Sequence, residues 1–196
     1  MQVISVNGVD GTGKSTVISI LKNELRAKGF EVYYYHLRPR YIFGNRQSNQ
    51  DSGAPPPPIA TKKYGSVLSI AKTIMFCVDY AIFYFINVFR SKKDIVFLFD
   101  RWIIDLFIFP ERFGISSYRL RTLIINLFKP DLYVLLHGEK SLIFSRKDEL
   151  TLDQISKYQQ AYFTCYKELE QKYPKCIRVN ISRTPSQVVS QILSEI

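Results

Sequence analysis

The sequence predicts a three-layer α/β fold, in which a five-stranded parallel sheet carries helices on both faces. Short apolar runs alternate along the chain with segments whose apolar residues recur at helical spacing, an order typical of parallel sheets. In addition, residues 95–99 form the continuous apolar run Ile-Val-Phe-Leu-Phe. Such runs are typical of parallel strands buried on both faces. With 196 residues, 46% of them hydrophobic, the chain is expected to form one domain over residues 1–196.

The predicted elements follow one another in a regular order. Residues 2–7 form an apolar first strand, and apolar positions from Val17 to Leu25 recur at helical spacing until Gly29 ends the first helix. Further strands are predicted over residues 31–37, 94–99, 132–136 and 176–181. Further helices are predicted over residues 64–90, as one buried helix or two in sequence, over 118–128 and 151–172, and from 184 onward.

Residues 8–16 read Gly-Val-Asp-Gly-Thr-Gly-Lys-Ser-Thr and lie between the first strand and the first helix. The spacing of Gly, four residues and Gly-Lys-Ser is the pattern of a phosphate-binding loop. Its glycines let successive N–H groups point at an anion, and the following helix adds the positive end of its dipole. Lys14 is expected to reach the β- and γ-phosphates of a nucleoside triphosphate, and Ser15 to bind Mg²⁺. The nucleotide-binding candidates are Gly8, Asp10, Gly11, Thr12, Gly13, Lys14, Ser15 and Thr16.

Charged residues also follow two of the other predicted strands. Asp100 ends the third strand, where a carboxylate beside the phosphate loop is the usual partner of Mg²⁺. The alternative is that Asp100 caps the next helix. Arg38 and Arg40 follow the second strand, where a second anionic substrate would bind at the carboxyl edge of the sheet. The alternative for these arginines is an exposed pair on a loop.

Composition limits the partners and the location of the protein. The formal charge of +10 favours anionic ligands, but the basic residues occur in small groups, which argues against a specific nucleic-acid partner. Three cysteines without metal-ligand spacing, and no secretory leader, predict a cytoplasmic location. Residues 41–62 are polar with four consecutive prolines and predict a mobile loop. Lys72 and Asp79 each cost about 2.5 kcal/mol or more at mid-bilayer, so residues 64–90 are predicted not to span a membrane.

These features together resemble the thymidylate kinase family of nucleoside monophosphate kinases, and its divergent members in particular. The match is carried by residues 7–16, 38–39, 99–102 and 130–146. The resemblance implies a P-loop NTPase fold, ATP and Mg²⁺ as cofactors, and a nucleoside monophosphate as the small-molecule phosphate acceptor. It also implies a homodimer, for which the apolar stretch 67–89 offers a surface.

The resemblance also implies roles for individual residues. Asp10 stands where the family has an acidic residue that contacts the sugar of the acceptor. Asp100 and Arg101 stand where the family has an Asp-Arg pair that binds the metal and the acceptor phosphate. Arg38 approximately fits a segment that holds that phosphate. Because residue 11 is glycine, the resemblance implies a lid over residues 138–152 that supplies a catalytic arginine. Arg146 is the best candidate for that role, and Lys147 is the second.

The chain departs from the family at the acceptor pocket. Asp79-Tyr80 stands where the family usually has Asp-Arg, and residues 102–110, which include Asp105, lack the usual glutamine. The acceptor side is therefore expected to be rebuilt. The catalytic candidates are Lys14, Arg101 and Arg146; the acceptor-binding candidates are Asp10, Arg38, Asp79, Tyr80, Arg101 and Asp105; and the metal-binding candidates are Ser15 and Asp100.

Three functional hypotheses follow. The first is an ATP- and Mg²⁺-dependent phosphotransferase that acts on a nucleoside monophosphate. The second is a nucleoside or sugar hydroxyl kinase on the same scaffold, which needs Asp10, Asp100 or Asp105 to accept a proton. The third is a non-catalytic ATP-binding regulatory protein, associated with a membrane through its basic surface and aromatic helix.

Overall fold

Five parallel strands form one sheet in the order β2-β3-β1-β4-β5. The computed structural model describes residues 1–41, 66–88, 94–108, 118–147, 149–173 and 175–196. The strands are β1 (Gln2–Asn7), β2 (Glu31–His36), β3 (Ile95–Asp100), β4 (Leu132–His137) and β5 (Cys176–Asn180). The helices are α1 (Lys14–Ala27), α2 (Ser66–Val88), α3 (Asp105–Ile108), α4 (Tyr118–Leu127), α5 (Lys140–Arg146), α6 (Leu152–Lys172) and α7 (Pro185–Leu193). The predicted fold class is confirmed, whereas the loop predicted at 41–62 lies, except for residue 41, outside the described residues.

The centre of the sheet is β1, which pairs with β3 on one side and β4 on the other. Val6 of β1 is in register with Asp100 of β3 and with Val134 of β4. All three strands run in the same direction, so their carboxyl ends meet at one edge of the sheet. The phosphate-binding loop after β1 and Asp100 at the end of β3 therefore lie side by side.

Helices cover both faces of the sheet. On one face α1 packs against β1, β2 and β3 and against α7. On the other face α2 sets the ring of Phe83 against Phe97 and Phe99 of β3, at 5.0 and 5.3 Å between ring centroids. On that same face the Tyr166 hydroxyl of α6 accepts a hydrogen bond of 2.9 Å from Asn7 at the end of β1. Aromatic contacts and this buried hydrogen bond thus fix α2 and α6 next to the loop edge.

The start of α6 is fixed by its sequence. The Thr151 side chain accepts from the Gln154 backbone N–H, and the Gln154 side chain accepts from the Thr151 backbone N–H. This reciprocal pair satisfies two N–H groups that the first turn of a helix leaves without partners. The helix predicted over residues 151–172 is confirmed, and it carries Tyr162 to the functional site.

Helix α2 is a single helix with two different faces. Tyr80 and Phe83 are fully buried, whereas Ile70 and Phe85 on the opposite side are 59% and 69% exposed. The prediction of a buried helix is therefore wrong for the outer face, because α2 lies over β2 and β3 near an edge of the sheet and only one side contacts it. By length and composition, the window Ile70–Asn87 could cross a membrane, with a mean hydropathy of 1.4 and 33% of it buried.

Candidate functional site

The phosphate-binding loop is held tightly by its glycines. Gly11 and Gly13 adopt φ values of 92° and 79°, in the left-handed region that favours glycine. A Cβ atom on Gly8 would lie 2.6 Å from the carbonyl oxygen of Leu136, and one on Gly11 would lie 2.7 Å from that of Ile143. The loop therefore has β4 on one side and α5 on the other, with no room for a larger residue at Gly8 or Gly11.

Lys14, the first residue of α1, folds back over the loop. Its Nζ donates to the carbonyl oxygens of Gly8 at 2.9 Å and Val9 at 3.0 Å. It also lies 3.4 Å from Asp10 Oδ1. Burial and the nearby charge of Arg101 lower the pKa of Lys14. The ammonium group is thus placed at the mouth of the loop, where it is expected to meet phosphate oxygens.

Asp100 lies beside this loop at the end of β3. Its Oδ2 is 3.3 Å from His36 Nδ1 and 3.4 Å from the Tyr34 hydroxyl, both from the neighbouring strand β2. Burial works to raise the pKa of Asp100, but the His36 hydrogen bond and the charges of Lys14, His36 and Arg101 outweigh burial and lower it. A carboxylate that stays ionised beside a phosphate loop suits a cation.

The residues at this edge fit Mg²⁺. Among the described residues, Asp100 Oδ1 is buried and has no hydrogen-bond partner. Mg²⁺ prefers oxygen ligands and is commonly bound through one or two carboxylates together with substrate phosphates. Ser15 lies in the first turn of α1, directly after the loop, and its side chain is exposed. The alternative helix-capping role for Asp100 is excluded because α3 begins only at Asp105.

Arg101, directly after Asp100, is the centre of a buried ion-pair network. Its Nη1 donates to Asp105 Oδ2 at 2.7 Å and to the Tyr162 hydroxyl at 3.3 Å, and its Nη2 donates to Asp10 Oδ1. The Tyr162 hydroxyl in turn donates to Asp105 Oδ1 at 2.8 Å. Burial works to lower the pKa of Arg101, but the Asp105, Tyr162 and Asp10 groups outweigh burial and raise it well above its usual value.

A second ion pair joins the end of β2 to α2. Arg38 donates to Asp79 Oδ2, and Asp79 is fully buried. The guanidinium carbon lies 5.3 Å from the centre of the Phe76 ring, a cation–π contact. Tyr80, the other acceptor-binding candidate on α2, is fully buried and its hydroxyl donates to the backbone oxygen of Leu37. The alternative of an exposed arginine on a loop is therefore wrong for Arg38, whereas Arg40 is exposed.

Backbone strain marks the ends of β2 and β3. Among non-glycine residues of the described chain, left-handed φ values occur at Leu37 (63°), Arg40 (57°) and Arg101 (75°). Such conformations cost free energy for residues with a Cβ atom, and they persist where the surrounding structure fixes them. The Arg101 backbone N–H is held by the carbonyl oxygen of Val6 at 2.9 Å. Leu37 donates its backbone N–H to the carbonyl oxygen of Asp100, so Leu37 and Arg101 both border the site.

The predicted lid contains the short helix α5, whose last residue is Arg146. A Cβ atom built on Gly13 would lie 3.7 Å from Arg146 Nη1, so the guanidinium sits against the phosphate-binding loop. Lys147 follows, pairs with Glu149 at 3.1 Å, and adds to the positive charge that acts on Asp10. The structure brings both lid cations to the loop, although catalysis by either stays a prediction.

The site also contains residues that the sequence did not single out. Tyr162 on α6 completes the Arg101 network, and Tyr34 and His36 on β2 complete the surroundings of Asp100. For the β2 residues the sequence did hold a signal. Positions 34 and 36 are two apart, so they lie on the same face of a strand that ends at this edge. For Tyr162 the sequence offered only a helix position, far along the chain from its partners.

Asp10 provides a prediction on stability against pH. Burial works to raise its pKa, but the charges of Lys14, Arg101 and Lys147 outweigh burial and lower it from 3.8 to about 2. Because the pKa is lower in the folded state, the stabilisation is fully present above about pH 4 and is lost as pH falls through about 2. The shift corresponds to roughly 2 kcal/mol.

The measurement compares urea unfolding of the wild type and of Asp10→Asn at several pH values. We expect the wild type to be the more stable protein at pH 5, and the difference in free energy of unfolding to shrink toward zero as pH falls to about 2. A difference that does not change with pH would contradict the electrostatic role of Asp10.

No family model and no curated protein matches the sequence. A thymidylate kinase from Candida albicans has a similar structure, with a TM-score of 0.65 and 19% identity over 98% of this chain and 89% of that one. A deoxyadenosine kinase from M. mycoides, solved with bound dATP, has a TM-score of 0.55 and 14% identity over 98% of each chain. The chain therefore has the same three-layer α/β fold as these two kinases.

Proposed function

We propose that the chain is an ATP- and Mg²⁺-dependent kinase of nucleosides or nucleoside monophosphates. One observation carries the proposal, namely that the side chains of Lys14 and Arg146, from two different helices, both lie against the phosphate-binding loop. Lys14 comes from the helix that follows the loop, and Arg146 comes from the end of α5. Two cations converging on a curled, glycine-rich backbone suit the charge that develops on a transferring phosphoryl group.

In this proposal the chain acts by positioning and by neutralising charge. Backbone N–H groups of the loop and Lys14 bind the β- and γ-phosphates, and Arg146 stabilises the equatorial oxygens of the γ-phosphoryl group. Ser15 and Asp100 would hold Mg²⁺, which would supply positive charge to offset that of the phosphates. The remaining candidates, the Arg38–Asp79 pair and the Arg101 network, are assigned to the acceptor.

Two acceptor classes are consistent with this arrangement. The sequence resemblance favours a nucleoside monophosphate, as in a thymidylate-kinase-like enzyme, and one structural neighbour is a thymidylate kinase. A nucleoside or sugar hydroxyl is the second candidate. It is favoured by the specific observation that Arg38 and Arg101 are already ion-paired with carboxylates of this chain. One structural neighbour is a deoxyadenosine kinase.

The proposal is tested by acceptor-stimulated release of ADP from ATP. Purified protein is incubated with Mg·ATP and a panel of nucleosides, nucleoside monophosphates and sugars, and ADP is measured by a coupled assay. We expect at least one acceptor to stimulate ADP release, and excess EDTA to abolish the stimulation because the metal is removed. ATP binding without stimulation by any acceptor would favour the regulatory hypothesis and contradict the proposed kinase.

A homodimer and a cytoplasmic location stay predictions. The exposed apolar face of α2 offers a dimer surface, and all three cysteines are free thiols, as expected in a reducing compartment. Sedimentation velocity tests the first prediction, because a dimer sediments with twice the chain mass of 22.9 kDa. A single species of 22.9 kDa at all protein concentrations would reject it.

A further inference from the structure

Hydrogen-bonded side chains link helix α6 to the phosphate-binding loop. We infer that Tyr162 on α6 is a positioning residue of the site, whose hydroxyl acts together with the Asp105 carboxylate to fix the guanidinium of Arg101. This inference rests on the proposed kinase function, in which Arg101 serves the acceptor. It adds a residue that affects the acceptor through Arg101 and is not itself required to touch the substrate.

The Tyr162 hydroxyl contacts both other members of this group. It donates to Asp105 Oδ1 at 2.8 Å, and it accepts from Arg101 Nη1 at 3.3 Å. Arg101 Nη1 also donates to Asp105 Oδ2 at 2.7 Å. The hydroxyl, the carboxylate and the guanidinium therefore form a closed ring of three hydrogen bonds. Each group is held by both of the others, so the ring is a cooperative network.

All three residues of the ring are withdrawn from water. Tyr162 is 1% exposed, Asp105 is 2% exposed and Arg101 is 8% exposed. Hydrogen bonds are stronger in such surroundings than in water, and a buried polar group that loses a partner is costly because water does not readily replace it. The position of the Arg101 guanidinium is therefore set by protein groups, and the Tyr162 hydroxyl is one of them.

The backbone of Arg101 gives an independent reason for this fixation. Its φ of 75° lies in the left-handed region, which a residue with a Cβ atom rarely adopts. Such a conformation persists where the surrounding structure holds it in place. The Arg101 backbone N–H bonds the carbonyl oxygen of Val6, and the tip of its side chain belongs to the ring with Tyr162. Tyr162 therefore helps to hold a residue whose backbone is strained.

The same guanidinium connects the ring to the phosphate-binding loop. Arg101 Nη2 donates to Asp10 Oδ1, which lies 3.4 Å from Lys14 Nζ. Lys14 is also held by two carbonyl oxygens of the loop. Loss of the Tyr162 hydroxyl is therefore expected to disturb Arg101 directly and Lys14 only at second hand. The acceptor side of the site should respond more strongly than the binding of Mg·ATP.

The first test is an NMR measurement that needs no acceptor. In ¹⁵N-labelled full-length protein, the guanidinium N–H signal of Arg101 is assigned by its loss in Arg101→Lys, and its rate of exchange with water is measured. We expect Tyr162→Phe to raise this rate at least about tenfold, because the variant keeps the aromatic ring but removes the hydroxyl that closes the network.

The matched control is Tyr166→Phe. Tyr166 is a fully buried tyrosine one turn further along α6, and its hydroxyl bonds Asn7 and Val134. This variant loses a buried hydroxyl from the same helix and is expected to leave the Arg101 exchange rate unchanged. An unchanged rate in Tyr162→Phe, or an equal rise in both variants, would overturn the inference. If Tyr162→Phe does not fold, Asp105→Asn weakens the same network and has to give the same rise.

The second test measures activity with thymidine, deoxyadenosine and their 5′-monophosphates as acceptors. For the acceptor that the wild type uses best, Tyr162→Phe is expected to lower kcat/KM by about tenfold, while the Kd for Mg·ATP changes by less than about twofold. Equal losses in acceptor use and in Mg·ATP binding would indicate general disturbance and overturn the inference. If the wild type turns over none of the four acceptors, the proposed kinase function fails for them, whereas the exchange measurement still decides whether Tyr162 positions Arg101.

Discussion

Replacing Lys14 with alanine is expected to lower kcat for acceptor-stimulated ADP release by about 1,000-fold. The reason is geometric, because Lys14 Nζ is the buried cation held at the mouth of the loop by the carbonyl oxygens of Gly8 and Val9. Without it, the negative charge that spreads over the transferring phosphoryl group would lack the cation that the chain holds against the loop. The measurement is the coupled ADP assay at saturating ATP.

The Lys14 prediction needs two controls. Lys28→Ala removes an exposed lysine at the end of the same helix and is expected to keep wild-type activity. Lys14→Met keeps the length of the side chain without its charge, so it separates loss of the cation from a change in loop packing. If Lys14→Met retains more than a tenth of the wild-type kcat, the charge of Lys14 does not drive transfer.

Replacing Arg146 with alanine is expected to lower kcat by about 1,000-fold as well, the lower end of the effect of an arginine that stabilises phosphoryl transfer. Its guanidinium already lies against Gly13 of the loop, so little movement is needed to reach a γ-phosphate. The free energy of unfolding should change by less than about 0.5 kcal/mol, since Arg146 is exposed and its contribution to packing is small.

Two comparisons sharpen the Arg146 prediction. Lys140→Ala removes an exposed cation from the opposite end of α5, about 9 Å along the helix axis, and should leave kcat unchanged. Arg146→Lys keeps the charge but not the planar donor fork, so it should recover only part of the activity. Equal losses in Lys140→Ala and Arg146→Ala would point to a general charge effect of the lid and not to a catalytic arginine.

The sequence predicts the features that depend on local spacing. The loop at residues 8–16, the strand before it and the helix after it are all fixed by one short motif, and Asp100 follows from a buried strand that ends beside that loop. The fold class follows from the alternation of strands and helices. The position of Arg146 beside Gly13 also agrees with the predicted lid, because α5 follows the strand next to β1.

The pairing of the acceptor-side residues could not be predicted from the sequence. Arg38 and Asp79 lie 41 positions apart, and Arg101 and Tyr162 lie 61 positions apart. Which carboxylate neutralises which arginine depends on how α2 and α6 are placed over the sheet, and no local pattern encodes that placement. The exposed side of α2 could not be predicted for the same reason. Apolar residues occur all round this helix, and only its position over the sheet decides which of them are buried.

The proposed phosphoryl transfer is tested most directly by ³¹P NMR of the purified chain with Mg·ATP and a mixture of nucleosides, sugars and nucleoside monophosphates. We predict that the γ-phosphate resonance of ATP is lost while ADP and a new phosphate monoester appear in equal amounts, and that the Lys14→Met variant produces neither. A γ-phosphate that persists, or that appears only as inorganic phosphate, would contradict the proposal that this chain is a kinase.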